Sequence, residues 1–259
     1  MSEIKLVLTD FDGTVAEIGK HIVSNAVRET VIACEERGIP TIPATGRYHR
    51  LAQPVLEILG FDGLGIFDNG ATIQHCVTGE VVWSNWMPTE LVREVAGICA
   101  PDAYWMDYTD QHNEHATTLD ELDIINDHSL PAPYVYALIA DHKLEKVKAA
   151  LTQVKGITFY TGHNTKENVP HPATGIQVNL SNADKFHGTN ALRDILDIPK
   201  EHILAIGDGD NDIALFENAG LKIAMGNATD LLKQKADYIV APVQDDGFVE
   251  AMNKFVLNK

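Results

Sequence analysis

Two aspartates, Asp10 and Asp12, lie one residue apart just past an apolar run, Ile4–Leu8, and are followed by Gly13 and Thr14. Carboxylates this close repel each other unless a cation or a proton sits between them. A hard divalent cation such as Mg²⁺ suits them, because it takes oxygen ligands and is held by one or two carboxylates, waters and substrate phosphate. Alternation along an extended chain puts both side chains on one side. The run before them is rich in Ile, Val and Leu and reads as a strand buried on both faces of a parallel sheet. A polar cluster beyond the carboxyl end of such a strand lies where open α/β sheets bind ligands. A solvated Asp-Gly turn is the plainer reading of Asp12-Gly13. The whole D-F-D-G-T, directly after a buried-looking strand, favours the cation site.

Three further polar clusters follow. A second strand, Ile39–Ala44, ends in Thr45-Gly46-Arg47. The Thr45 hydroxyl and the backbone N–H groups around Gly46 suit an oxyanion; the alternative is a Thr that caps the next helix, with Arg47 in solvent. Lys185 precedes a helix expected over Thr189–Leu196. A lysine near two carboxylates and a phosphate screens their repulsion and orients the nucleophile; otherwise it is a surface lysine in a first helical turn, where its charge is unfavourable. An apolar strand ending near Ile206 runs into Gly207-Asp208-Gly209-Asp210-Asn211-Asp212. Asp208 there can reach a metal from a neighbouring strand end. A calcium loop of the EF-hand kind would need a helix on both sides, and a strand precedes this one.

These positions must be set by a strand–helix–strand scaffold. A helix runs from Ser24, as N-cap, to Glu36 with Gly38 as terminator, and another spans Tyr48–Leu59. Asn69-Gly70 marks a tight hairpin turn with arms at Ile66–Asp68 and Thr72–His75. From about Val81 the pattern changes to strands at Val81–Trp86, Ala103–Tyr108, Tyr134–Ala140, Ile157–Thr161 and Gly175–Leu180, with helices at Pro88–Cys99 and His142–Val154. A further strand at His112–Thr118 and a short helix or acidic loop at Leu119–Asp127 complete this stretch. Its aromatics, among them Trp83, Trp105, Tyr134 and Tyr136, read as core and sheet face. His112 and His115 read as solvated or core-edge histidines rather than a metal pair. A final helix is expected from Asp245 to Phe255.

D-F-D-G-T, A-T-G-R at 44–47 and G-D-G-D-N-D at 207–212 resemble motifs of the haloacid dehalogenase superfamily. N-G-A at 69–71 and A-M-G-N-A at 224–228 are similar to its Cof-like subfamily. The resemblance implies an α/β fold: a Rossmann-like parallel sheet core over 1–81 and 184–259, with an inserted α+β cap domain over 82–183. It implies a Mg²⁺-dependent phosphatase that acts on small phosphorylated metabolites, most often sugar phosphates, through an aspartyl-phosphate. Asp10 would be the nucleophile and Asp12 the general acid and base. Asp10, the Asp12 carbonyl and Asp208 would hold the metal. Thr45, Gly46, Lys185 and Asn211 would bind the phosphate, supported by Thr14, Arg47, Asn69 and Asp212. The subfamily follows its lysine directly with Gly, whereas here Gly188 comes three residues later, so His187 stands as the alternative to Lys185. A phosphomutase shares these motifs. A phospho-receiver module also clusters aspartates and a lysine, but is shorter and has no insert. A non-catalytic phospho-ligand binding protein is the third alternative.

The chain has 259 residues, 45% of them hydrophobic, and a net charge of −17. That length holds one large domain or two modest ones with a real core. The charge argues against nucleic acid or an anionic membrane as partner. It also means that a phosphate must be captured by local cations and backbone N–H groups, because the overall field repels it. No apolar run of about 18 residues occurs, and no basic-then-apolar leader opens the sequence. Cys34, Cys76 and Cys99 are widely spaced, as for free thiols in a reducing compartment. These features predict a cytoplasmic monomer or small homo-oligomer.

Overall fold

The structure is a computed structural model and describes residues 3–18, 20–107, 131–163 and 172–258. The expected elements at His112–Thr118 and Leu119–Asp127, with Tyr108, His112 and His115, lie outside the described residues. The chain divides into two compact units, one of residues 1–83 and 184–259 and one of residues 84–183.

The first unit opens with β1 (Leu6–Thr9), α1 (Asn25–Glu36), β2 (Thr41–Pro43), α2 (His49–Leu59), β3 (Leu64–Phe67), β4 (Thr72–His75) and β5 (Val81–Ser84). The second unit holds α3 (Thr89–Cys99), β6 (Ala103–Asp107), β7 (Val135–Ala140), α4 (Asp141–Leu151), β8 (Ile157–His163) and β9 (Ala173–Leu180). The first unit then resumes with α5 (Lys185–Leu196), β10 (Ile203–Gly207), α6 (Asp212–Phe216), β11 (Leu221–Ala224), α7 (Asp230–Lys235), β12 (Tyr238–Ile239) and α8 (Gly247–Met252).

The central sheet has the order β12-β11-β10-β1-β2, and every pair in it is parallel. Leu6, Val7 and Leu8 of β1 are fully buried, each such side chain contributing about 1.5–3 kcal/mol. This burial on both faces is why the strand reads as a continuous apolar run. The register pairs Thr9 with Pro43 and with Ile206, and Gly207 with Ala224. The ladder continues one residue further: the Asp10 N–H donates to the Ile206 carbonyl at 3.0 Å, and the Ala44 N–H to the Thr9 carbonyl at 2.8 Å. Asp10, Thr45 and Asp208 therefore leave the sheet at the same edge, where β1 is flanked by β2 on one side and β10 on the other. This is the crevice in which open α/β sheets bind ligands.

α1 starts as expected. The Ser24 hydroxyl oxygen accepts the Val27 N–H at 3.1 Å, and Val27, Thr30, Val31 and Cys34 form the buried face. The N-G turn closes a hairpin in which Phe67 pairs with Thr72. Four residues, 68–71, separate these partners, so the loop is longer than the expected tight turn and Asp68 lies outside the first arm; Asp68, Asn69 and Gly70 all have positive φ, 55°, 59° and 109°.

Three elements differ from expectation. α5 begins at Lys185 rather than Thr189, because the Asp184 carboxylate caps it by accepting the His187 N–H at 2.9 Å. Gly188 is thus inside the helix. A Cβ there would lie 2.8 Å from the Gly70 carbonyl oxygen, so the glycine serves close approach, not termination. α7, capped by Thr229, has no apolar periodicity in the sequence because it buries only Leu232. The last helix starts at Gly247, after Asp246 in a left-handed conformation, and ends in a π-helical turn, Asn253–Leu257.

The second unit is a four-stranded antiparallel sheet of order β6-β7-β9-β8. Its core joins Val92, Val95 and Cys99 of α3 and Val147 and Leu151 of α4 to Val135, Ala137, Ile139, Ile176 and Val178 of the sheet. Trp105 and Tyr136 meet edge to face at 5.9 Å on the sheet, in line with a structural role for the aromatics. All three cysteines are buried and free, and burial pushes their thiols up to about 11 for Cys34 and about 12 for Cys76 and Cys99.

Gly70 combines a φ of +109° with a Cα whose added Cβ would lie 2.0 Å from the Asp184 carbonyl oxygen. Gly70→Ala is therefore expected to cost more than about 1 kcal/mol, read as a lower urea midpoint at unchanged slope; an unshifted midpoint would show that the hairpin does not dock on α5 in this way.

Candidate active site

Asp10 follows directly on β1 and is buried. Lys185, the first residue of α5, is fully buried, and its Nζ donates to Asp10 Oδ1 and to Asp212 Oδ1 at 2.6 Å each. Lys185 reaches the cluster from a helix start, not from a strand end. His187 points elsewhere: its Nδ1 lies 2.7 Å from Asp184 Oδ1 and its ring is half-exposed. Burial by itself would push Lys185 down, but Asp10 and Asp212 more than reverse that and hold it well above its ordinary value. Asp10 is raised well above its own, by burial first, with Asp212 and Asp208 adding to it and Lys185 opposing.

Asp212, at the start of α6, has no exposed surface. Its Oδ2 accepts the N–H groups of Asp208 and Gly209 at 2.9 Å each, so one carboxylate shapes the loop after β10 and holds Lys185. A Cβ on Gly207 would lie 2.4 Å from Asp212 Oδ2, which accounts for glycine there. Asp208 is half-buried, with the Thr14 hydroxyl 3.4 Å from its Oδ1. Burial first, and then the Asp212 charge, push it up to about 7.

Asp12 faces a different cation. Arg47 Nε donates to Asp12 Oδ2 at 2.8 Å and Nη2 to Asp12 Oδ1 at 2.6 Å, a two-pronged pair. Arg47 is buried, not a solvent arginine. Its Nη2 also meets the Lys20 carbonyl at 3.1 Å, and its Nη1 lies 3.5 Å from His21 Nδ1. Within the chain the two aspartates of D-F-D thus take separate cations. The metal-capable cluster is Asp10, Asp208 and Asp212, whose carboxylate oxygens lie within 4.8 Å of one another. The Asp12 side chain is outside it.

Thr45 is buried, and its hydroxyl oxygen accepts the Arg47 N–H at 3.1 Å, leaving its own hydrogen to donate. It is not a helix cap, since the N-cap of α2 is Tyr48, without a side-chain bond. Gly46 faces open space. The turn at Asn69 backs this loop: its N–H donates to the Thr45 carbonyl at 3.0 Å, and its side-chain oxygen accepts Asn211 Nδ2 at 3.1 Å. Asn227, within the A-M-G-N-A stretch, bonds to both Gly13 and Asp208 and is not among the site residues expected from the sequence.

Three carboxylates against one lysine leave a negative excess, and burial already drives two of them toward protonation. An all-oxygen, anionic donor set of this kind fits a hard divalent cation. Asp212 has both oxygens engaged, by Lys185 and by the loop after β10, whereas Asp10 gives Lys185 one oxygen.

Residues 7–252 match the family model of the haloacid dehalogenase-like hydrolases. The chain belongs to that family. This hydrolase is 27% identical to a phosphoglycolate phosphatase of Methanobrevibacter smithii, over 98% of this chain and 99% of that protein. It is also 27% identical to the 5-amino-6-(5-phospho-D-ribitylamino)uracil phosphatase YcsE of Bacillus subtilis, over 98% of this chain and 97% of that one. A haloacid dehalogenase-like hydrolase of Bacteroides thetaiotaomicron shares its fold with a TM-score of 0.78 at 26% identity, covering 97% of this chain and 99% of the other. With such relatives over its whole length, the haloacid dehalogenase-like hydrolase is placed among the phosphoric monoester hydrolases.

Because the folded state raises Asp208 to about 7, it binds a proton more tightly than the unfolded chain does. That contribution to stability is present at low pH and is lost as pH rises toward about 7. A divalent cation competes with the same proton. The rise in melting temperature on adding Mg²⁺ is therefore expected to be small at pH 5 and to grow by pH 7.5; a rise independent of pH would contradict this. Lys185→Met is expected to cost about 3–5 kcal/mol in urea unfolding without metal, as for a buried pair stripped of one partner. A loss under about 1 kcal/mol would mean that Asp10 and Asp212 do not depend on it.

Proposed function

We propose that this hydrolase cleaves phosphate monoesters of small metabolites with Mg²⁺ as cofactor, through a covalent phosphate on Asp10. The observation that carries the reading is the division of charge: Asp10 is held by Lys185 beside Asp208, while Asp12 is held apart by Arg47. That division fits two carboxylates with two tasks.

In the first step the Asp10 oxygen not held by Lys185 attacks phosphorus, the bond from phosphorus to the leaving oxygen breaks, and Asp12 gives that oxygen a proton. Both Asp12 oxygens are engaged by Arg47, so the acid role requires one of them to exchange Arg47 for the leaving oxygen. In the second step Asp12 takes a proton from water, the water oxygen attacks phosphorus, and Asp10 is released with inorganic phosphate. Lys185 and the Thr45 hydroxyl neutralise and orient the phosphoryl oxygens, and Asn211, backed by Asn69, borders them. Asp10 and Asp208 would hold Mg²⁺, which would supply positive charge against the ionised Asp10 and the phosphoryl oxygens. Transfer of a phosphoryl group depends chiefly on such positioning and neutralisation.

The second unit, inserted in sequence between Thr45 and Lys185, is assigned the role of a cap that selects the leaving group and excludes water. The relatives named above support the substrate class of small phosphorylated metabolites. Phosphoglycolate and sugar phosphates are the first to test.

The test is phosphate release over a panel of 2-phosphoglycolate, pentose and hexose phosphates and a ribityl phosphate, with Mg²⁺ and with EDTA. Turnover is expected with Mg²⁺ only. Asp10→Asn should lose more than about 10⁴-fold in kcat while keeping its circular dichroism spectrum. Substantial turnover by purified Asp10→Asn would remove the nucleophile assignment.

A further inference from the structure

We infer that Asn227 is a positioning residue that aims the Asp208 carboxylate, an inference resting on the reading of Asp208 as a holder of the metal. The Asn227 amide makes three bonds to three separate stretches of chain. Its Nδ2 donates to the Gly13 carbonyl at 2.9 Å and to Asp208 Oδ2 at 3.1 Å, and its Oδ1 accepts the Val243 N–H at 2.9 Å. Only the carbonyl end can accept from Val243, and only the amino end can meet two oxygens, so the orientation of the amide is fixed by its partners. Gly13 belongs to the turn that follows the two catalytic aspartates, and Asp208 to the loop after β10. One side chain therefore joins the two loops that carry the cluster to the turn ahead of α8.

Asp208 needs such a partner more than its neighbours do. Asp10 is held by Lys185, Asp212 by Lys185 and two backbone N–H groups, and Asp12 by both prongs of Arg47. The Thr14 hydroxyl, at 3.4 Å from Asp208 Oδ1, is beyond the usual O–H···O range. On the other side the carboxylate rests against Gly13, where a Cβ would lie 2.1 Å from Oδ2. Asn227 thus supplies a hydrogen bond within the usual N–H···O range to the Asp208 carboxylate and ties Gly13, the wall it rests on, in the same movement. Asn227 is itself exposed, and bonds at that level of exposure add little to folding. Partners standing behind metal-binding groups set the orientation of those groups, and their loss weakens metal affinity by about 10–100-fold.

The test uses the full chain without substrate and Mn²⁺ as probe. The Mn²⁺ dissociation constant is measured by calorimetry, and melting is followed in EDTA and in saturating Mn²⁺. Asn227→Ala is expected to bind Mn²⁺ at least about tenfold more weakly while melting in EDTA close to wild type. Asn227→Asp keeps the acceptor for Val243 but sets another carboxylate beside Asp208. It should melt lower in EDTA and gain more on adding Mn²⁺ than wild type does. The inference is overturned if Asn227→Ala binds Mn²⁺ like wild type, including the case in which only its melting in EDTA falls, the mark of a purely structural tie to Val243. Should Asn227→Ala not fold, a Mn²⁺-induced rise in Asn227→Asp equal to that of wild type overturns it. Wild type that binds no Mn²⁺ overturns the metal reading itself, and this inference with it.

Discussion

The first unit is assembled around a buried ammonium group. Lys185 has no exposed side-chain surface and gives two charge-assisted bonds of 2.6 Å, to Asp10 and Asp212. A lysine in the first turn of a helix is opposed by the helix dipole, and burying it costs solvation as well. Two carboxylates offset both, and the geometry that brings them there fixes three segments at once. Asp184 caps α5, Gly70 and Gly188 let the hairpin turn approach that cap, and Asp212 draws the Asp208 loop against the helix start. If the lysine were displaced, Asp10 would lose its partner and the loop after β10 would lose the anchor shared with it.

This arrangement leaves the site short of positive charge. Lys185 serves two carboxylates, and Asp208 is pushed up to about 7 by burial and by Asp212. In a chain of net charge −17 the shortage is local as well as global, and a divalent cation at the cluster would relieve the repulsion among its carboxylates. Asp12 is insulated from it by its own cation, Arg47. The two aspartates thus have separate cationic partners although only Phe11 stands between them.

Much of the fold was legible in the sequence because its signals are local. The runs at β1 and β10 are apolar because both faces are covered, Ser24 and Gly38 bracket α1, and Asn69-Gly70 demands positive φ. The signals failed where a contact distant in sequence decided the outcome. The helix expected from Thr189 begins at Lys185, under the Asp184 cap, and takes in Gly188, where the Gly70 carbonyl leaves no room for a Cβ. The spacing of Lys185 and Gly188 departed from the family pattern and left His187 as a rival; the cap formed by Asp184 turns His187 away and Lys185 inward. Arg47 read equally well as a surface residue, since nothing in A-T-G-R says that Asp12 will meet it.

The sequence by itself determined which groups are present and roughly where they leave the sheet. Short apolar runs rich in Ile, Val and Leu that stop at carboxylates read as buried strands ending in a polar loop, and parallel strands send those loops to one edge. Which cation each carboxylate takes was decided by tertiary structure. A pairing such as Lys185 with Asp10 joins positions far apart in the chain, and its energy depends on distance and burial, quantities that exist only once the strands have packed.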